Sequence, residues 1–236
     1  MASPAQRARR FASHALGLAG MVANEGSRRL RQRADGLTLD GDRWVEWSFC
    51  MARMADGPGT TMDFGADIGF LSLAAAQRGH DVVALDREPP SLDYAHPSVT
   101  HVRADILDRP LADRRFDQIL NCSSVEHVGL AGRYGSVANP DGDVQAMEIM
   151  ASMLADDGRM ILTIPVGRDL VSPPLHRIYG EERLPRLLAP FATREEQYWR
   201  KDPATRLWTQ TDRATALAVE GSDAFYALGL FVLQRA

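Results

Sequence analysis

Strand-like and helix-like segments alternate between residues 60 and 166, and this alternation constrains the fold more than any other feature of the chain. Short apolar runs predict strands at 61–65, 81–86, 99–103, 116–122 and 159–165. Segments with helical spacing predict helices at 70–78 and 143–153. Strands that alternate with helices form a parallel sheet covered by helices on both faces, so we expect an α/β fold. A final apolar run at 225–234 predicts a late, antiparallel strand.

The composition excludes several classes of protein. Hydrophobic residues make up 45% of the 236 residues and charged residues 25%, which is typical of a globular chain and not of a disordered one. The two cysteines are too few for a disulfide framework or a zinc site, and they fit a reduced, cytoplasmic protein. No run of 18 apolar residues predicts a membrane span.

Charge divides the chain into a basic N-terminal extension, 1–36, and an acidic domain, 37–236. Residues 1–33 hold seven arginines and one acid, a net charge of +6, whereas the rest of the chain has a net charge of −10. An acidic domain argues against a nucleic-acid partner. The extension has two interpretations, a basic helix that contacts anionic lipid at a membrane surface or a helix docked over the ligand site.

Residues with binding chemistry follow each of the first four predicted strands. The carboxyl ends of parallel strands meet at one edge of a sheet, where α/β proteins bind ligands. We therefore predict that one group of residues forms a cofactor site: Asp63, Gly65, Asp67, Gly69, Asp86, Asp105, Ile106, Asn121 and Ser123.

The chemistry of these residues indicates an adenosine cofactor. Asp86 follows Gly65 by 21 residues, a spacing at which an acid accepts both hydroxyls of a ribose. Asp105 follows the third strand, where it can accept the adenine amino group. Asp67 stands where a dinucleotide loop has its middle glycine, and its carboxylate would repel a pyrophosphate but attract a sulfonium or ammonium group. The predicted cofactor is therefore S-adenosylmethionine rather than NAD.

Residues 60–166 resemble the class I S-adenosylmethionine-dependent methyltransferases. The segment 63–69 is similar to that family's acid-x-Gly-x-Gly-x-Gly loop, with Asp67 in place of the central glycine. Asp86 matches the ribose-binding acid, and Asp105 with Ile106 matches the adenine contact. The resemblance implies a Rossmann-like, doubly wound and mostly parallel sheet of seven strands.

A second resemblance concerns the acceptor. Four segments, 121–130, 132–135, 140–143 and 176–180, resemble a subgroup found beside glycosyltransferases in surface-polysaccharide gene clusters. This resemblance implies a carbohydrate or glycolipid acceptor. The residues that we expect to contact the acceptor are Arg133, Tyr134, Arg177 and Tyr179. Arg133 and Tyr134 have the alternative role of holding their loop closed.

Methyl transfer to a hydroxyl requires a base that removes the acceptor proton. His127 follows the fourth strand, and an imidazole titrates near neutral pH, so it is our first candidate. Glu126 beside it would orient the base or contact the methionine part of the cofactor. His176, after the fifth strand, is the second candidate. For each histidine a structural role is the alternative.

An acidic pair and an aromatic trio complete the candidate residues. Asp141 and Asp143 could bind Mg²⁺, but the segment 139–142 is typical of a turn in which Asp143 caps the next helix. We expect the turn and no resident metal. Trp44, Trp47 and Phe49 predict a packed cap over the cofactor.

Three other functions remain open from the sequence alone. They are methylation of a small aromatic or polyketide hydroxyl, a nicotinamide-dependent oxidoreductase, and a cofactor-binding fold without activity. Asp67 argues against the oxidoreductase, and the pair Glu126 and His127 argues against an inactive fold.

Overall fold

The structure is a computed structural model that describes residues 41–90, 95–131, 138–223 and 225–236. The N-terminal extension and the loop with Arg133 and Tyr134 lie outside these residues. Within them, the strands are β1 Gly59–Phe64, β2 His80–Asp86, β3 Val99–Arg103, β4 Phe116–Cys122, β5 Leu154–Val166, β6 Leu170–Ser172, β7 His176–Ile178, β8 Phe191–Lys201, β9 Trp208–Thr211 and β10 Ala227–Arg235. The helices are α1 Arg43–Arg53, α2 Phe70–Gln77, α3 Gly142–Met153, α4 Arg183–Leu188 and α5 Arg213–Leu217, with short 3₁₀ helices at Ile106–Asp108 and Val125–His127.

Eight strands form the main sheet in the order β3-β2-β1-β4-β5-β10-β8-β9. Strands β1 to β5 are parallel, and β10 is antiparallel to both β5 and β8. The predicted α/β fold, the mostly parallel sheet and the antiparallel last strand are confirmed. The sheet has eight strands rather than seven because the chain turns back after β8 and pairs β9 along its edge.

Both faces of the sheet are covered, which explains the continuous apolar sequences of its central strands. In β4, Ile119 points into the core on one face, and Leu120 points into the core on the other. Helices α3, α4 and α5 contribute to the first core, and α1 and α2 contribute to the second. The central strands therefore form a rigid base whose loops can hold a site.

The aromatic residues before β1 form a cap only in part. Phe49 lies on the buried face of α1, and Trp47 stacks on Phe70 with 4.5 Å between ring centroids. Trp44 is 60% exposed, so its predicted packing is wrong. It lies on the solvent side of α1, the side opposite Phe49 and Cys50.

No helix in the described part of the chain has both the length and the apolar character needed to cross a bilayer.

Candidate active site

A cavity of about 200 Å³ opens at the carboxyl edge of the sheet. Strand β1 has β2 on one side and β4 on the other, so the order of the strands reverses here, as it does where α/β sheets bind ligands. Seven residues predicted from the sequence line this cavity: Gly65, Asp67, Asp86, Asp105, Ile106, Ser123 and His127. The folding of the sheet therefore brings together six of the nine predicted cofactor residues and one of the three predicted catalytic residues.

The loop between β1 and α2 needs glycine at its first turn. Gly65 has a φ of +73°, and a Cβ there would lie 2.1 Å from the Oγ of Ser124. Gly69, with a φ of +74°, precedes the first turn of α2. Asp67 has a φ of +39°, and its backbone N–H donates to Oδ2 of Asp86 at 3.1 Å. The loop is thus wrapped against the end of β2.

One end of the cavity is formed by the carboxylates after β2 and β3. Asp86 also accepts the backbone N–H of Glu88 at 3.0 Å, and each of its oxygens has a further lone pair for a hydroxyl. Asp105 accepts the N–H of Leu107 at 3.0 Å, and its other oxygen lies 3.4 Å from the guanidinium of Arg87.

Two predicted cofactor residues lie behind the cavity wall. Asp63 is buried and accepts a hydrogen bond from the hydroxyl of Ser72 at 2.6 Å, and burial raises the pKa of Asp63 to about 6. Asn121 is buried, and its Oδ1 accepts the N–H of Val125 at 3.3 Å. Both side chains support the loops that line the cavity and do not line it themselves.

The other end of the cavity contains residues that the sequence analysis missed. Arg43 on α1 lines the cavity beside Cys122 and Ser123. It donates to Glu46 at 2.5 Å, and Glu46 is fully buried between α1 and the sheet. Burial raises the pKa of Glu46, and the charge of Arg43 acts in the opposite direction. We call this region the α1 end. The feature of the sequence that could have indicated it is the oppositely charged pair Arg43 and Glu46, three residues apart.

His127 is oriented by one of its ring nitrogens. Its Nδ1 lies 2.6 Å from the carbonyl oxygen of Leu175, which can only accept, so Nδ1 carries a proton. In the neutral ring the lone pair is then on Nε2, which lies 3.8 Å from Oε1 of the buried Glu126. His127 lines the cavity, and 19% of its side chain is exposed.

His176 lies elsewhere. It is buried on β7 and packs edge-on against Tyr226, with 5.3 Å between ring centroids. It does not line the cavity. Tyr226 donates to Asp42 at 2.7 Å. Burial raises the pKa of Tyr226, and the nearby charges of Asp42, Glu46 and Glu126 raise it further. This geometry favours His127 over His176 as the base.

Arg177 and Tyr179 differ from their expected role in contacting the acceptor, because both side chains are buried. Arg177 donates to the carbonyls of Val128 at 2.6 Å and Asn139 at 3.2 Å, and so joins two backbone segments. Tyr179 donates to Asp143 at 3.0 Å inside the core. Neither side chain lines the cavity.

Asp141 and Asp143 form ion pairs with arginines. Asp143 is buried, and Arg183 donates to its two oxygens at 2.5 and 2.9 Å. Asp141 accepts from Arg186 at 3.0 Å. Helix α3 begins at Gly142, so the expected cap at Asp143 is wrong, because Asp143 lies inside the first turn. The described residues include no group of three or more metal-ligating side chains.

Solved structures that resemble this chain include several methyltransferases. The 1,6-didemethyltoxoflavin-N1-methyltransferase of Burkholderia thailandensis, bound to 1,6-didemethyltoxoflavin and S-adenosylhomocysteine, aligns with a TM-score of 0.56 and 18% identity over 100% of this chain and 92% of its own. The N-methyltransferase NodS of Bradyrhizobium japonicum, also with S-adenosylhomocysteine, has a TM-score of 0.56 and 15% identity over 86% and 92%. The mitomycin 7-O-methyltransferase MmcR has a TM-score of 0.51 and 14% identity over 90% of this chain and 58% of its own.

Sequence comparisons add little. A family model described as Caenorhabditis protein of unknown function, DUF268, matches residues 109–215. No curated protein matches the chain. At these identities the similar structures establish the fold, and the chain therefore has the class I fold of S-adenosylmethionine-dependent methyltransferases.

Proposed function

We propose that this protein is an S-adenosylmethionine-dependent methyltransferase that methylates a hydroxyl group of a sugar or glycolipid. The observation that carries the proposal is the joint presence, in the lining of one cavity, of a strand-end carboxylate and a base. Asp86 has lone pairs for the two hydroxyls of a ribose, and the neutral ring of His127 has its lone pair on Nε2.

The charges and the hydrogen-bonding groups of the cavity residues suit S-adenosylmethionine. Asp86 would bind the ribose, and Asp105 with Ile106 would contact the adenine. We call the end of the cavity that these three residues form the adenosine end. Arg43, at the α1 end, can pair with the α-carboxylate. A dinucleotide fits poorly, because the N–H of Asp67 donates to Asp86 and the carboxylate of Asp67 would repel a pyrophosphate.

When bound, S-adenosylmethionine supplies an activated methyl group, and the residues of the chain handle the proton. Nε2 of His127 accepts the proton of the acceptor hydroxyl. The carbonyl of Leu175 holds the ring by its Nδ1–H, and Glu126, with an oxygen 3.8 Å away, stabilises the positive charge that develops on the ring. The expected contribution of such a base is about 10²–10⁴-fold in rate.

The sugar acceptor is supported by the resemblance of segments 121–130 and 176–180 to the polysaccharide-cluster subgroup. Polar side chains near the α1 end, Asp42 and Tyr226 among them, can hydrogen-bond to a hydroxyl-rich molecule. A glycolipid acceptor would place the protein at a membrane, where the basic residues of 1–36 would contact anionic lipid. A natural-product hydroxyl is the second candidate, since MmcR is named as a 7-O-methyltransferase of mitomycin.

Calorimetric titration with S-adenosylhomocysteine and with NAD tests the cofactor. We expect only the former to bind, and Asp86→Ala to weaken it about tenfold or more, since charge-assisted hydrogen bonds to the ribose are lost. Binding of NAD alone would overturn the proposal, and unchanged affinity in Asp86→Ala would remove the ribose assignment. Mass spectrometry after incubation with glycan, glycolipid and aromatic acceptors then identifies the methylated class.

A further inference from the structure

Glu46 is a buried carboxylate that joins three elements at the α1 end of the cavity. Its carboxylate is 0% exposed, and burying a charge is unfavourable unless the group is paired and hydrogen-bonded. Arg43 donates to it from α1, Thr163 donates from β5 at 2.8 Å, and the hydroxyl of Ser123 donates from the end of β4. Both oxygens of the carboxylate therefore accept hydrogen bonds.

The bond from Ser123 holds an unfavourable backbone conformation. Ser123 has a φ of +46°, in the left-handed region that costs a residue with a Cβ roughly 1–2 kcal/mol. Its N–H donates to the carbonyl of Thr163 at 3.0 Å, and its hydroxyl donates to Glu46. Glu46 therefore stabilises the turn by which the chain leaves β4, and that turn places Ser123 and Ser124 in the cavity wall.

The bond from Arg43 orients a cation at the cavity. Nη1 of Arg43 lies 2.5 Å from Glu46 and 3.8 Å from the sulfur of Cys122, while the side chain stays about half exposed. Arg87, which also lines the cavity, pairs with Asp105 at the adenosine end. Arg43 is thus placed to meet an anionic group at the α1 end, with further N–H groups available on its guanidinium.

We infer that Glu46 is a positioning residue for the amino-acid half of the cofactor. It acts through Arg43 and Ser123, and it does not touch the reacting atoms itself. This inference rests on the proposed function and deepens it, because it makes α1 a part of the cofactor site. It also divides the cavity into an end that binds the adenosine part of the cofactor and an end that binds its α-amino acid part.

The test compares S-adenosylhomocysteine with 5′-methylthioadenosine, which has the adenosine part but lacks the α-amino acid. Calorimetry is done on the full chain, as wild type and as Glu46→Gln. We expect Glu46→Gln to weaken S-adenosylhomocysteine about tenfold, the loss of one charge-assisted interaction, and to change 5′-methylthioadenosine by less than about twofold. A general loss of folding would weaken both ligands alike.

Glu195→Gln is the matched control. Glu195 on β8 pairs with Arg53 at 2.5 Å, so it also anchors α1, but from the end of the helix that does not line the cavity. We expect this variant to bind both ligands as the wild type does. If it shows the same selective loss, docking of α1 in general causes the effect and the role of Glu46 is overturned.

The remaining outcomes separate the inference from the proposed function. If the wild type binds neither ligand, the proposed function fails. If it binds both and Glu46→Gln weakens both equally or neither, only the inference fails. Should Glu46→Gln not fold, Ser123→Ala leaves Glu46 paired with Arg43 and Thr163. It must then show a smaller but still selective loss of S-adenosylhomocysteine, and equal losses of the two ligands would overturn the inference.

Discussion

The two ends of the cavity are built in different ways. At the adenosine end the partners are at most 19 residues apart, since Asp86 accepts the N–H groups of Asp67 and Glu88 and Asp105 accepts that of Leu107. At the α1 end Glu46 bonds to Ser123, 77 residues away, and to Thr163, 117 residues away. The adenosine end therefore forms from neighbouring strands and their loops, whereas the α1 end exists only once α1 has docked on the assembled sheet.

The largest expected effect concerns His127, whose orientation also depends on a distant contact, the carbonyl of Leu175. We expect His127→Ala to lower turnover by about 10²–10⁴-fold, because the acceptor proton loses its base. The affinity for S-adenosylhomocysteine should stay near that of the wild type. Turnover is measured by mass spectrometry with the acceptor found in the screen above.

His127→Asn separates the base from the distant contact. An asparagine amide can donate to Leu175 as Nδ1 does, but it cannot accept a proton at the position of Nε2. We expect it to be as inactive as His127→Ala. Activity in His127→Asn would mean that the contact with Leu175 matters and the base does not. Turnover abolished by His176→Ala but retained by His127→Ala would reverse the two histidine roles.

The next prediction concerns Gly65, in the loop after β1, which packs against Ser124 in the loop after β4. Gly65→Ala should lower the free energy of unfolding by roughly 2–4 kcal/mol, because it combines a left-handed backbone with a clash against Ser124. Gly79 has a φ of +90°, and a Cβ there would lie 3.7 Å from Gly57. Gly79→Ala should therefore cost only the backbone part, about 1–2 kcal/mol. Urea denaturation measures both.

Ser124→Gly in the Gly65→Ala background removes the clashing atoms. We expect it to recover the difference between the two alanine variants. If Ser124→Gly recovers none of the lost free energy of unfolding, the backbone conformation at Gly65 alone requires glycine.

The smallest effect is a pH dependence from Asp63, whose hydrogen bond to Ser72 spans nine residues. Because burial raises its pKa from 3.8 to about 6, the folded protein favours the protonated form. This contribution to stability is fully present below about pH 4 and is lost as pH rises through 6. Relative to Asp63→Asn, the wild type should lose up to about 3 kcal/mol across this range.

Urea unfolding between pH 4 and 7.5 measures the difference between wild type and Asp63→Asn. Asp81→Asn makes the same change of charge at an exposed position on β2, and it is the control for the loss of the charge itself. A difference for Asp63→Asn that stays flat with pH would contradict a raised pKa at Asp63.

The sequence by itself determined the strands from β1 to β5 and the residues that line one end of the cavity. The predicted bounds of β3 and β4 agree with the structure residue for residue, although β4 is largely buried and β3 is a partly exposed edge strand. Asp86 is the last residue of β2 and Asp105 lies two residues after β3, so their positions follow from those of the strands. These signals lie within a few residues along the chain.

Only the tertiary structure decided the rest. Arg43 and Glu46 precede the first strand, and nothing in their local pattern shows that α1 packs at the end of β4. Arg177 and Tyr179 looked available to an acceptor, but the chain at β7 and just after it turns them into the core. There Tyr179 donates to Asp143, while Arg177 donates to backbone carbonyls and its Nε lies 3.6 Å from Asp143. Burial and partner choice depend on which distant segments meet, and that information appears only when the chain is folded.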